Sequence, residues 1–172
     1  MIVEYISIGT EILLGNIINT NAAFLAEQFA KLGLTAYYQT SVGDNKARIN
    51  ECLDIAVQRS DIIVLSGGMG PSSEDVTKES VALFLGKETI DEHIDGCIVI
   101  PNEFGNSAGE IIEVSGHVFI LLPGQLNEMK PMFLKYAVPF LEKKSDSVIF
   151  GQKSYYQATG EFRVQSSEYR YI

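Results

Sequence analysis

Positive charge is scarce in this chain. It carries 13 lysines and arginines against 22 aspartates and glutamates, a net charge of −9 over 172 residues. A nucleic-acid duplex needs a basic stripe to displace its counterions, so this balance argues against nucleic acid as a partner. It leaves room for a phosphorylated small molecule, which backbone amides and a metal ion hold without net positive charge. Cysteine is also sparse. Cys52 and Cys97 lie far apart, lack C-x-x-C spacing and sit in apolar surroundings. Buried, reduced thiols and a cytoplasmic location are expected. The two histidines, His93 and His117, show no ligand-like spacing, which predicts solvated or satisfied side chains rather than a histidine-based metal site. No apolar run reaches the roughly 18 residues of a membrane span. The opening "MIVEYISIGTEI" has neither a basic n-region nor a small-residue cleavage site, so it does not read as a signal peptide. No membrane partner is expected.

What is present suits one globular domain: 46% hydrophobic, 10% aromatic and 20% charged residues are enough for a real core. Val3 to Ile8 is short, apolar and β-branched, and reads as a strand. "NTNAAFLAEQFAKLG" repeats apolar residues at helical spacing, with Asn19 or Thr20 as cap and Gly33 as stop. "LTAYYQTSV" reads as a second strand. A helix with Ile49, Cys52, Leu53 and Ala56 on its apolar face follows. "DIIVLSGG" has the continuous apolar run of a strand covered on both faces. After it come a helix carrying Val76, Leu83 and Phe84, the buried strand "HVFILLPG", and a helix over "NEMKPMFLKYAVPFL" with Pro131 in its first turn. This alternation predicts a mostly parallel sheet covered on both faces. The segment from Asp91 to Gly116 fits poorly, with only Cys97 to Ile100 strand-like. The tyrosine-rich tail reads as a small β-hairpin turning near Thr159-Gly160.

Ligands of such sheets bind beyond the carboxyl ends of the strands. Gly9-Thr10-Glu11, Gly43-Asp44-Asn45, Gly67 to Asp75 and Pro123-Gly124 all fall there. In "LSGGMGPSSEDVTKE" the bare glycines Gly67, Gly68 and Gly70 let a polyphosphate approach the main chain. The helix after them offers unpaired N–H donors, and Ser72 and Ser73 either cap it or donate to phosphate. The loop is neither a dinucleotide fingerprint nor a Walker loop, and a turn serving only tight packing remains an alternative. Asp44, Asp75, Glu74 and Glu11 converge on one rim if the sheet is parallel. Carboxylates beside a phosphate loop repel the ligand unless a cation intervenes, and oxygen-only ligation suits Mg²⁺ or Mn²⁺. Against this stands the plain reading of Asp44 and Asp75 as helix N-caps. Thr10 and Thr77 are hydroxyl donors or helix-end residues. Glu128 is a metal ligand or a first-turn acid suited to the helix dipole.

"GTEILLGNIINTNAAFLAEQFAKLG", "SVGDN", "LSGGMGPSSEDVTKE" and "ILLPGQLNEMKPMF" together resemble the N-terminal domain of the CinA family, the competence/damage-inducible proteins. That domain shares a molybdopterin-binding fold with the MogA and MoaB proteins. The resemblance covers most of residues 1 to 142. It implies a three-layer α/β/α sandwich with a mostly parallel central sheet over residues 1–144, followed by a β-rich extension over 145–172. It also implies metal-dependent hydrolysis of ADP-ribose-type nucleotide diphosphates. In the cofactor-synthesis relatives it implies binding of molybdopterin instead. By position, Asp44 matches the family's VGD aspartate, Asp75 and Thr77 its DxT motif, Gly67, Gly68 and Gly70 its glycine loop, and Glu128 the acid after LPG. The chain departs from the family at Ser72, at Glu74, in reading LPGQL for LPGPP, and in lacking a helical stretch of some tens of residues near His93.

The expected site therefore has Asp44, Asp75 and Glu74 as catalytic residues. Gly9, Thr10, Gly67, Gly68, Gly70, Ser72, Ser73, Thr77, Pro123 and Gly124 hold the phosphorylated ligand, an ADP-ribose-like nucleotide or molybdopterin. Asp44, Asp75, Glu11 and Glu128 hold a divalent metal, Mg²⁺, Mn²⁺ or Co²⁺. A homo-oligomer is expected from the apolar helix faces and from relatives that self-associate.

Overall fold

The computed structural model describes residues 1–145. The strands are β1 (Ile2–Ile8), β2 (Thr35–Val42), β3 (Ile62–Ser66), β4 (Thr89–Ile90), β5 (His93–Ile94), β6 (Ile98–Ile100), β7 (Gly109–Val114) and β8 (His117–Leu122). The helices are α1 (Thr10–Leu13), α2 (Thr20–Lys31), α3 (Lys46–Ala56), α4 (Thr77–Leu85) and α5 (Leu126–Met132). One six-stranded sheet runs in the order β2-β1-β3-β8-β7-β6, and β4 pairs with β5 in a separate ribbon. The pairs β1–β2, β1–β3 and β3–β8 are parallel, while β7 runs antiparallel to both β8 and β6. Among the described residues no helix is long and apolar enough to cross a membrane.

Helices cover both faces, giving the three-layer α/β/α sandwich. The alternation of β3 shows why. Ile62 and Val64 face a core completed by Leu25 and Phe29 of α2 and Met129 and Met132 of α5. Ile63 and Leu65 face the opposite core, with Ile49 and Leu53 of α3 and Val81 of α4. Burying a side chain of this size contributes about 1.5–3 kcal/mol. Phe133 meets Phe29 and Phe24 edge-on at centroid distances of 5.9 and 6.1 Å, a geometry that adds about 0.5–1.5 kcal/mol per pair.

Several expectations need correction. The segment 91–116 holds three strands, not one. Glu110 hid β7, because a fully buried charge sits where the apolar pattern should continue. The helix after the glycine loop begins at Thr77 with no side-chain cap, so Ser72 and Ser73 cap nothing there. Leu83 is exposed, and Val81 and Ala82 fill the core instead. Pro131 is the sixth residue of α5 rather than part of its first turn, and the helix widens into a π-turn over Phe133–Ala137 directly after it. From residue 146 onward, the β-rich extension expected over 145–172 lies outside the described residues.

Candidate functional site

Because β1, β2, β3 and β8 are parallel, their carboxyl ends share one edge. The loops leaving them build a cleft of about 700 Å³. The antiparallel return of β7 brings a fifth segment to the rim. Its first residues pair with the end of β8, so the loop before it delivers Asn106 and Ser107. Sequence reading missed these two, because a strand start reaches that rim only if the strand is antiparallel.

The glycine loop is shaped by contacts that no larger residue allows. A Cβ on Gly67, which has φ +102°, would stand 1.9 Å from the backbone oxygen of Ile8. One on Gly68, with φ +59°, would stand 2.5 Å from Thr77 Oγ1 and 3.5 Å from Asp44 Oδ1. Thr77, fully buried, donates its hydroxyl to Gly67 O at 2.7 Å, and its amide donates to Gly68 O at 3.0 Å. Thr77 therefore staples the loop and does not reach the cleft.

Asp44 is not a helix cap. Asn45 caps α3, accepting from Arg48 N at 3.1 Å. The Asp44 Oδ2 atom instead accepts from Thr10 N at 2.8 Å and Thr10 Oγ1 at 2.9 Å. This ties the first loop to the second. Oδ1 is left without a protein donor among the described residues, beside Gly68. Asp75 Oδ2 accepts from Ser72 N at 3.0 Å and lies where a Cβ on Gly70 would come within 2.7 Å. The two carboxylates thus rest against one loop, at glycines two residues apart. Glu11 folds back against Gly9, with its Oε1 2.9 Å from the place a Cβ would occupy there. Glu128 accepts from Asn102 Nδ2 at 2.7 Å.

Of the expected site residues, Glu11, Asp44, Gly67, Gly68, Gly70, Ser72, Glu74, Asp75, Pro123, Gly124 and Glu128 line the cleft. Gly9, Thr10, Ser73 and Thr77 do not. Five carboxylates face the cavity, and among the described residues that line it there is no lysine, arginine or histidine. Beneath them the floor is neutral and hydrogen-bonded. Asn21 Nδ2 donates to Gly124 O at 2.7 Å and to Ser66 Oγ at 3.3 Å, and the Tyr5 hydroxyl meets Ser66 Oγ at 2.7 Å. Burial raises the Tyr5 phenol above its ordinary value, and hydrogen bonding with Ser66 and Ser7 offsets part of the rise.

His117 is satisfied, its Nδ1 lying 3.1 Å from Ser60 O. His93 is in different company. Its Nδ1 lies 2.9 Å from Glu110 Oε1, and Cys97 is close to both. Both thiols are free and half-buried rather than fully buried. Burial, aided by Glu110, raises the Cys97 thiol.

Residues 4–143 match the model of a family described as "Probable molybdopterin binding domain". The chain belongs to that family. A solved CinA from Thermoplasma acidophilum, whose function is stated as unknown, is 30% identical, with a TM-score of 0.75 over 78% of this chain and 94% of that one. That places the domain in the CinA group of molybdopterin-binding domains. A CinA-like protein of Dictyoglomus turgidum is 39% identical over 87% of this chain and 43% of its own length. A curated relative from Caldicellulosiruptor saccharolyticus, named for competence-damage inducibility, is 40% identical over 192 residues, or 96% of this chain and 47% of its own. The chain thus spans about half the length of the curated relatives it matches. The tungsten cofactor synthesizing protein MoaB from Pyrococcus furiosus, 19% identical with a TM-score of 0.61 over 87% of this chain and 95% of its own, shares the fold.

Proposed function

We propose that this domain binds a nucleotide phosphate in the cleft and, with a divalent ion, hydrolyses the pyrophosphate of an ADP-ribose-like nucleotide. One observation carries the reading: an amide-rich glycine loop shares its cavity with five carboxylates and no basic side chain. A phosphate alone would be repelled there.

The residues fit Mg²⁺, Mn²⁺ or Co²⁺. The donors are all oxygens, as these ions require. No three cleft acids among the described residues bring their oxygens within 4.8 Å of one another, which suits Mg²⁺, held by one or two carboxylates plus substrate phosphate and water. Asp44, through its free Oδ1, and Asp75 are the holders, with Glu11 and Glu128 in reserve. Bound there, the ion would neutralise phosphate charge and lower the pKa of an attached water. The chain's own residues do the rest. Thr10 fixes the Asp44 carboxylate, Thr77 holds the loop, and the bare glycines admit the phosphates. The Glu74 carboxylate faces the cleft with no partner among the described residues, so it orients the attacking water and takes its proton. Water adds to phosphorus, the bridging P–O bond breaks, and AMP and ribose 5-phosphate leave.

The test is to incubate the folded protein with ADP-ribose and each of the three ions and to look for AMP. Turnover with at least one ion supports the proposal, and no AMP with any of them overturns it. The family description favours a second reading, capture of a pterin or nucleotide phosphate without turnover. It predicts ligand-dependent thermal stabilisation with no product, persisting in Asp75→Asn. Leu13, Leu14, Ile17 and Ile18, all at least half exposed beside the cleft, suit self-association. Light scattering checks this, and a monomeric mass at high concentration refutes it.

A further inference from the structure

The His93, Cys97 and Glu110 cluster stands apart from the cleft, and none of the three lines it. Each offers one ligand atom, and these atoms all lie within 4.8 Å of one another. Among the described residues no other three histidines, cysteines, aspartates or glutamates come together in this way. Two turns deliver the ligands. Asp91 and Glu92, with φ of +47° and +67°, join β4 to β5 in the doubly left-handed manner of a type I′ hairpin. Residues without glycine's freedom are strained there, and that turn ends at His93. Gly96, with φ +75°, then turns the chain so that Cys97 arrives four residues after His93. Lys87 Nζ pins this second turn by donating to Asp95 O at 2.7 Å.

Glu110 supplies the charge. Its side chain is fully buried, with Lys78 Nζ 3.2 Å and His93 Nδ1 2.9 Å from the same Oε1. A buried carboxylate needs such compensation. The thiol of Cys97 adds nothing to that ion pair, yet it is held beside it. Thiolate, imidazole and carboxylate together are a borderline-soft donor set that suits zinc, with ligand bonds of roughly 2.0–2.3 Å. His93, about a third exposed at 31%, leaves an opening for a solvent ligand.

We propose that His93, Cys97 and Glu110 form a zinc-class divalent metal site, with three protein ligands and water as the fourth, clipping the β4–β5 ribbon to β7. On binding, the ion replaces Lys78 as the main countercharge of Glu110. The thiol proton goes to solvent, and the lysine, 20% exposed, swings outward. The site is independent of the cleft, whose acids are all oxygen donors and whose lining includes no cysteine among the described residues.

Cobalt distinguishes the two. Titrating the folded, reduced chain with Co²⁺ yields a thiolate-to-metal charge-transfer band that saturates at one equivalent and is displaced by Zn²⁺. The band survives in Cys52→Ser and vanishes in Cys97→Ser. In His93→Ala the affinity falls at least tenfold, since losing a group that merely orients a ligand already costs about 10–100-fold. Circular dichroism confirms that each variant is folded. A wild-type chain that shows no such band at saturating Co²⁺, or a band that persists in Cys97→Ser, overturns the proposal.

Discussion

Glu4 and Glu110 are buried in the sheet, and each has a cation of the protein against it. Among the described residues, Asp44, Asp75, Glu11, Glu74 and Glu128 stand in the cleft without one. Glu4 receives Arg59 through two bonds, Nε to Oε2 at 2.9 Å and Nη2 to Oε1 at 2.7 Å, with Thr40 Oγ1 at 3.0 Å as a third donor. The guanidinium is itself stacked 3.7 Å from the Tyr38 ring centroid. In the cleft the donors are amides and hydroxyls such as Thr10 and Ser72. The contrast separates acids that close a structure from acids that await a charge from outside. A fold that compensates its buried carboxylates so fully has the means to do the same at the rim, and there it does not.

The largest expected effect tests the uncompensated set. Asp44→Asn and Asp75→Asn each lower ADP-ribose turnover by about a thousandfold, because several kcal/mol of charge stabilisation goes with the bound ion. Their unfolding midpoints change little, since the asparagine oxygen still accepts from Thr10 N or Ser72 N. Steady-state AMP formation beside a thermal melt checks both halves. Unchanged turnover in both variants would put these acids in the same class as Glu4.

The compensated set responds in the opposite way. Arg59→Ala leaves Glu4 buried and unpaired, which costs about 3 kcal/mol, the low end for a broken buried pair because Arg59 is itself one-third exposed. Urea unfolding measures it, and phosphate binding in the folded variant stays intact. A variant as stable as its parent would show that solvent, not Arg59, neutralises Glu4. Adding Glu4→Gln to Arg59→Ala restores part of the loss.

Much of this contrast is legible in the sequence, and the exceptions have physical causes. Asp44 and Asp75 can be read because each follows a glycine turn after an apolar run, and parallel strands put such turns on one edge. Their freedom from capping cannot be read, since Asn45 and Asp44 are equally good caps on paper and only the backbone decides between them. Asn106 and Ser107 are hidden by the antiparallel turn of β7. His93, Cys97 and Glu110 are hidden because no local pattern announces a contact across 17 residues between a ribbon and a sheet. The spacing of four from His93 to Cys97 across Asp95-Gly96 was the one available signal.

Gly67→Ala separates loop shape from charge. Its added methyl meets Ile8 O and adopts a left-handed backbone, a strain of about 2 kcal/mol. The loop then shifts off the rim. Phosphate binding falls even though every cleft acid is present, and ligand-induced thermal shift reads the loss. Normal binding in this variant would mean that the acids alone, without the glycine geometry, form the site.

The smallest effect lies on the neutral floor between the two sets of acids. Tyr5→Phe removes the 2.7 Å bond to Ser66 Oγ while Asn21 still donates to that oxygen, so about 1 kcal/mol is lost near neutrality. Its pH dependence says more than its size. Burial holds the folded Tyr5 phenol above its ordinary 10.0. The unfolded chain therefore gives up that proton first, and the stability Tyr5 confers is complete below pH 10 and is lost as pH rises through the folded value. Cys52 and Cys97, raised from 9.0 chiefly by burial, start the same decline about a unit earlier. Urea midpoints measured from pH 8 to 11 should fall along two overlapping steps in the parent, and Tyr5→Phe should shrink the upper one, to which Lys135, raised from 10.5 by its bond to Glu103, also contributes. If Tyr5→Phe leaves the upper step unchanged, the phenol is open to water, the floor of the cleft is wet, and the low-polarity support on which the rim acids rest is lost with it.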